Sequence, residues 1–239
     1  MSDLSSSLHP RQKGRSQNPS SLANIKTLVT LGMLTALAYA VMAVCKVIPA
    51  VGGFLSFDLK DTVMAIGGFL FGPAAALAMA IVVPFIELFT VSDTGWYGLI
   101  MNIIATTLFV LPAVLIYRRR HKTSAAILGL VVGVVCLTLG MILWNYIITP
   151  FYFQMERALV VDMMPMIIAF NLVKGVCNAA LIMVTYPPVS AALRKTGLVA
   201  PSRNLPAGEK RKFNFVPTVV SALVLLTGVL FLLALLGVI

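Results

Sequence analysis

Three side chains in the stretch "MIIAFNLVKGVCNAALIM" carry groups that an ordinary membrane-crossing helix does not require: Asn171, Lys174 and Asn178. Their spacing of three and then four residues puts them on one helical face. An ammonium offers up to three donors and each carboxamide pairs a donor with an acceptor, so this face suits a polar small molecule. A lysine near the bilayer centre costs about 2.5–3.5 kcal/mol on insertion scales, and such residues face a bundle interior or a cavity. The competing use is interhelical: the amides bond neighbouring helices and Lys174 pairs with Glu87 in another apolar run.

A second cluster is "LWNYIITPFYF", Leu143 to Phe153. Asn145 stands a few residues before Pro150, which is expected to end the helix. Trp144, Tyr146, Phe151, Tyr152 and Phe153 form an aromatic belt at the membrane interface or stack on a flat ligand. Enzyme chemistry finds no support. His9 and His121 lie in basic contexts without a partner, and no nucleophile stands with a base. Cys45, Cys136 and Cys177 are odd in number, lie in apolar segments and lack CxxC spacing, so no metal site and no disulfide framework is expected. Neither GxxxxGK[ST] nor GxGxxG occurs, so ATP-driven transport would need a borrowed ATPase.

The elements that position these residues follow from composition. The 239-residue chain is 59% hydrophobic and 11% charged, against about 25% charged in soluble domains. A hydrocarbon core about 30 Å thick is crossed by roughly 20 apolar residues in a helix. Apolar runs separated by breakers predict seven helices, at 24–46, 60–71, 73–90, 98–117, 124–148, 162–193 and 216–239. The second is short and makes a tight hairpin with the third around "FGP". Residues 1–22, Ser-rich and basic, read as a disordered cytoplasmic tail. They are not a signal peptide, because the apolar run continues past Ala38-Tyr39-Ala40.

The net charge of +10 is concentrated in short patches beside the runs. Arg11, Lys13, Arg15 and Lys26 precede the first run, "RRRHK" follows the fourth, and Arg194, Lys195 and Lys210 to Lys212 follow the sixth. If every run crosses, all lie on one side, which the positive-inside rule makes cytoplasmic, together with the N-terminus. Nucleic acid is not the expected partner. Pairs of small residues four apart, Ala36 and Ala40, Gly68 and Gly72, Gly129 and Gly133, permit close helix contact.

"LVTLGMLTALAYAVM", "LSFDLKDTVMAIGGFLFGP", "DTGWYGLIMNIIATTLFVLPAVLIY", "LWNYIITPFYF" and "FNLVKG" resemble, in order and spacing, the substrate-binding S components of energy-coupling factor (ECF) vitamin transporters, above all the riboflavin-specific ones. The likeness covers about residues 25–195. It implies an all-α integral membrane protein, with a six-helix S-component bundle at 23–196, a basic cytoplasmic linker at 197–215 and a C-terminal seventh transmembrane helix at 216–239. The implied function is capture of extracellular riboflavin at the cell membrane, with ATP used by two ATPase subunits that join through a separate transmembrane coupling protein. No cofactor is implied.

The resemblance carries Asn145, Asn171 and Lys174 over as ligands of the flavin ring, with Tyr146 beside them. It sets Leu55, Phe57 and Asp58 in a gating loop, and Ala36 and Ala40 on the surface that meets the coupling protein. Thr94, Asn102 and Glu87 are candidates for the ribityl hydroxyls. The chain departs from the family's usual D-x-S-D pattern, having Asp58-Leu59-Lys60-Asp61, and its seventh run lies outside the six-helix core. The alternatives are an S component for another vitamin, and a proton-coupled secondary carrier using Glu87 and Lys174.

Overall fold

A computed structural model describes residues 19–199 and 215–235. Most of the sequence-assigned tail and linker, and the last four residues, lie outside the described residues. Eight helices are described: α1 (Pro19–Cys45), α2 (Lys60–Phe71), α3 (Pro73–Thr90), α4 (Gly95–Arg120), α5 (Thr123–Ile147), α6 (Thr149–Phe153), α7 (Arg157–Lys195) and α8 (Phe215–Leu235). Among the described residues, α1, α3, α4, α5 and α7 are long and apolar enough to cross a membrane, and α8 has a shorter apolar stretch, Ser221–Phe231. The chain is a multi-pass membrane protein.

Helix α2 is the hub, touching α1, α3, α4 and α7. Residues 60 to 69 are all buried, including Lys60, Asp61 and Thr62. At about 1.5 Å per residue it spans about 18 Å, and longer helices surround it. A single residue, Gly72, joins it to α3. Its φ of 99° lies where a side chain is strained, and Pro73 then starts α3, where its missing N–H costs nothing.

The α4 and α5 pair makes the most extensive helix–helix contact. Gly129 and Gly133 explain it. A Cβ on Gly129 would stand 2.8 Å from the Ala113 carbonyl oxygen, and one on Gly133 would collide with the Phe109 carbonyl oxygen. In lipid, where hydrophobicity does not drive helices together, such backbone proximity supplies the packing.

Several boundaries differ from the sequence expectation: α4 and α7 extend beyond 98–117 and 162–193 at both ends, α7 starting five residues early at Arg157. Helix α1 begins at Pro19, inside the stretch read as tail, because proline is well suited to a first helical turn. Pro150 does not end α5. That helix stops at Ile147, and Pro150 sits in the first turn of α6, so it opens a short helical segment.

Candidate functional site

A cleft opens between the loop after α1 and helices α3, α4, α5 and α7, with an empty volume of about 450 Å³ including its open mouth. Lys46, Glu87, Asn102, Asn171 and Lys174 supply its charged and amide groups, and Phe54, Leu55, Met101, Met141 and Phe170 supply apolar surface. A few convergent polar groups on an apolar wall are the usual make-up of a small-molecule site.

The stripe on α7 divides by role. Asn171 and Lys174 line the cleft. Asn171 donates from Nδ2 to the Ile167 carbonyl oxygen at 2.8 Å, within its own helix, which leaves Oδ1 as an acceptor. Asn178 is wholly buried and does different work. Its Oδ1 accepts from the Thr62 backbone N–H at 3.0 Å and from the Thr62 hydroxyl at 2.8 Å. Its Nδ2 donates to the Asp58 carbonyl oxygen at 3.1 Å and the Lys174 carbonyl oxygen at 3.0 Å. Leu59, at the N-cap of α2, has no side-chain cap to offer, so a residue on α7 caps that helix end, sharing the Thr62 N–H with the Leu59 carbonyl oxygen at 3.2 Å.

The ion pairs correct one expectation. Lys174 does not pair with Glu87; its Nζ lies 2.9 Å from Asp58 Oδ2. Glu87 instead meets Lys60 at 3.0 Å and Lys46 at 3.4 Å, and accepts from Asn102 Nδ2 at 3.2 Å. Lys60 Nζ also lies 3.5 Å from Asp58 Oδ2, and Lys46 reaches Asp93 at 3.6 Å. The result is an alternating chain from the cleft wall to its mouth: Lys174, Asp58, Lys60, Glu87, Lys46, Asp93. Burial alone would raise the Asp58 carboxyl, but the charges of Lys174 and Lys60 outweigh it and hold Asp58 below the usual carboxylate range. The pairing has a geometric cause: the loop 46–59 folds inward through the Val51–Leu55 bridge and carries Asp58 onto α7.

The other predicted residues separate by position. Leu55, Glu87 and Thr94 line the cleft. Phe57 and Asp58 are buried behind that surface, Phe57 in an apolar cluster with Ile167 and Phe170. Asn145 is wholly buried and is not part of the lining. Its Nδ2 donates to the carbonyl oxygen of Met141, which does line the cleft, and its Oδ1 accepts from the Thr149 hydroxyl at 2.9 Å. With that proton committed, the 2.7 Å contact between Tyr97 and Thr149 has the tyrosine as donor. Tyr146 points away, exposed under the Arg157 guanidinium. Tyr152 stacks on Tyr97 with centroids 4.3 Å apart, and Phe153 meets Phe54 at 5.4 Å, so these two rings belong to the mouth. Ala36 and Ala40 are exposed on the outer face of α1.

Sequence reasoning missed Lys46, Phe54 and Phe170 as lining, and Lys60 as the central counter-ion. A lysine flanked by Asp58 and Asp61 was a signal available in the sequence, but its partner Glu87 becomes visible only when α3 is docked.

The family model of the ECF transporter substrate-specific component matches residues 26–186. The chain belongs to that family. This S component is 28% identical over 178 residues to the riboflavin transporter RibU of Staphylococcus aureus (strain TCH60), covering 71% of this chain and 93% of the relative. It is 25% identical over 162 residues to the riboflavin transporter FmnP of Bacillus subtilis (strain 168), covering 64% and 85%. A solved structure described as the S component of a bacterial ECF transporter superposes with a TM-score of 0.62 at 28% identity, covering 72% of this chain and 99% of that one. The family match ends at residue 186, so the S-component likeness stops before α8, which packs on α7 with Gly228 against Cys177.

Proposed function

We propose that this S component captures extracellular riboflavin in the cleft and delivers it for ATP-driven uptake. The observation that carries the reading is the placement of Asn171 and Lys174, one helical turn apart, on the cleft wall. The edge of an isoalloxazine ring alternates carbonyl oxygens with an imide N–H. Asn171 Oδ1 accepts from the N–H, and the Lys174 ammonium donates to a neighbouring carbonyl. Phe54, Phe170, Met101 and Met141 cover the ring faces. Glu87, Asn102 and Thr94, which also line the cleft, take the ribityl hydroxyls. Asn145 acts one layer back, fixing Met141 and Thr149, and Leu55, Phe57 and Asp58 form the loop that covers the ligand. The names of the relatives, riboflavin transporters with at least 85% of their length matched by this chain, support the same ligand.

On this reading the protein lies in the cell membrane with its N-terminus cytoplasmic, since Arg118 to Lys122 and Arg194 to Lys195 then fall on the cytoplasmic side. Energy comes from two ATPase subunits, which join through a transmembrane coupling protein docked on the α1 face that carries Ala36 and Ala40. The absorption spectrum of the purified protein tests the ligand. Co-purified flavin, or quenching of added riboflavin fluorescence at stoichiometric protein, is expected. Saturable binding of a different vitamin in a ligand panel, with none of riboflavin, would overturn the assignment.

A further inference from the structure

Lys60 is wholly buried, lies 3.0 Å from Glu87 and 3.5 Å from Asp58, and does not line the cleft. It has no route to a ligand. It shares Asp58 Oδ2 with Lys174, which stands 2.9 Å away and does line the cleft. Asp58 Oδ1 is buried with no hydrogen-bond partner, so the two ammonium groups are the carboxylate's side-chain partners among the described residues.

This arrangement has a consequence for binding. When Lys174 turns its ammonium towards a ligand, the Lys174–Asp58 contact lengthens, and a buried carboxylate left without a close cation is strongly disfavoured. Resting on the riboflavin reading above, we propose that Lys60 is a positioning residue for ligand capture: it takes over Asp58 as Lys174 engages the ligand. Glu87 is not stranded by the exchange, because Lys46 stands 3.4 Å from its other oxygen and Asn102 donates to Oε2. The charge chain therefore shifts by one partner, and neither Asp58 nor Glu87 is left without a cation. Asp58 stands one residue before the end of the loop 46–59, so the exchange also keeps that loop tied to the bundle while the ligand is held.

A double-mutant cycle on the purified full chain tests this, with riboflavin affinity read by fluorescence quenching and folding read by thermal unfolding. Lys60→Met is expected to weaken binding at least tenfold, while Lys60→Arg, which retains the charge, stays within threefold of the unmodified protein. In an Asp58→Asn background the carboxylate that Lys60 and Lys174 share is gone, while Glu87 keeps Lys46 and Asn102, so Lys60→Met should then change affinity less than threefold. If the methionine variant does not fold, Lys60→Gln takes its place in the cycle with the same expectations. Unchanged affinity in the neutral Lys60 variant, a loss of equal size with Asp58→Asn present, or an arginine variant as weak as the neutral one overturns the inference. Absence of riboflavin binding by the unmodified chain would instead overturn the ligand assignment, which separates the two failures.

Discussion

Lys174 and Asp58 are 116 residues apart in sequence, and their side chains meet at 2.9 Å inside the bundle. The contact fastens the loop between α1 and α2 to the middle of α7, and places the fastening beside the cleft. A cation that both closes a loop and faces a ligand has two competing partners, and several of the expected outcomes follow from that competition.

Asn171 and Asn178 lie on the same face of one helix but should respond oppositely to alanine. Among the described residues the Asn171 side chain bonds within its own helix, so Asn171→Ala is expected to weaken riboflavin binding about tenfold, the effect of losing about 1.4 kcal/mol, with little change in the unfolding midpoint. Loss of stability without loss of affinity would remove Asn171 from the site.

Asn178→Ala removes the acceptor shared by the Thr62 N–H and hydroxyl, leaving them the longer contacts to the Leu59 and residue-178 carbonyl oxygens, and takes the donor from the Asp58 carbonyl oxygen. Buried polar groups left unsatisfied cost about 1–3 kcal/mol each. A clear fall in thermal stability in detergent is expected, and an unchanged midpoint would contradict the clamp.

Gly133→Val should separate α4 from α5, because any side chain there meets the Phe109 backbone. Overpacking of this kind costs about 1–3 kcal/mol. Gly32→Ala is the matched control, since a Cβ there has nothing within 4 Å. Thermal unfolding of the two variants side by side should show a loss for the first alone.

Ala36→Trp and Ala40→Trp add bulk to an exposed face of α1 without touching the cleft. Riboflavin binding by the isolated subunit should persist, while uptake by cells that supply the coupling protein and ATPases should be lost. Uptake retained in both variants would place the docking surface elsewhere.

Lys174→Met should abolish measurable riboflavin binding and also lower stability, because Asp58 is then left with Lys60 at 3.5 Å as its nearest cation. Restoration of stability, but not of binding, by adding Asp58→Asn would separate the two roles of Lys174. Recovery of binding in that double variant would show that the ammonium is not a ligand contact.

Much was legible in the sequence for physical reasons that act locally. Apolar runs bounded by Gly72, Pro73 and basic patches gave α2 and α3 their full extent, since a change of period or a breaker marks a helix end within a few residues. The three-four spacing put Asn171, Lys174 and Asn178 on one face, because helical geometry alone decides that. Small residues four apart on α5 gave the close approach to α4. What stayed hidden was which group faces which. Asn178 became a clamp and Asn171 a cleft residue only when α2 docked against part of that face. Asn145 went into the wall because Thr149 and the Met141 carbonyl occupy its amide. Lys174 found Asp58 rather than Glu87 because the inward fold of loop 46–59 delivers a carboxylate to α7, while Lys60 and Lys46 hold Glu87. Local spacing determines the helices and their faces; the pairing of buried charges depends on distances of a few ångströms between segments far apart in the chain, and only the packed bundle sets those.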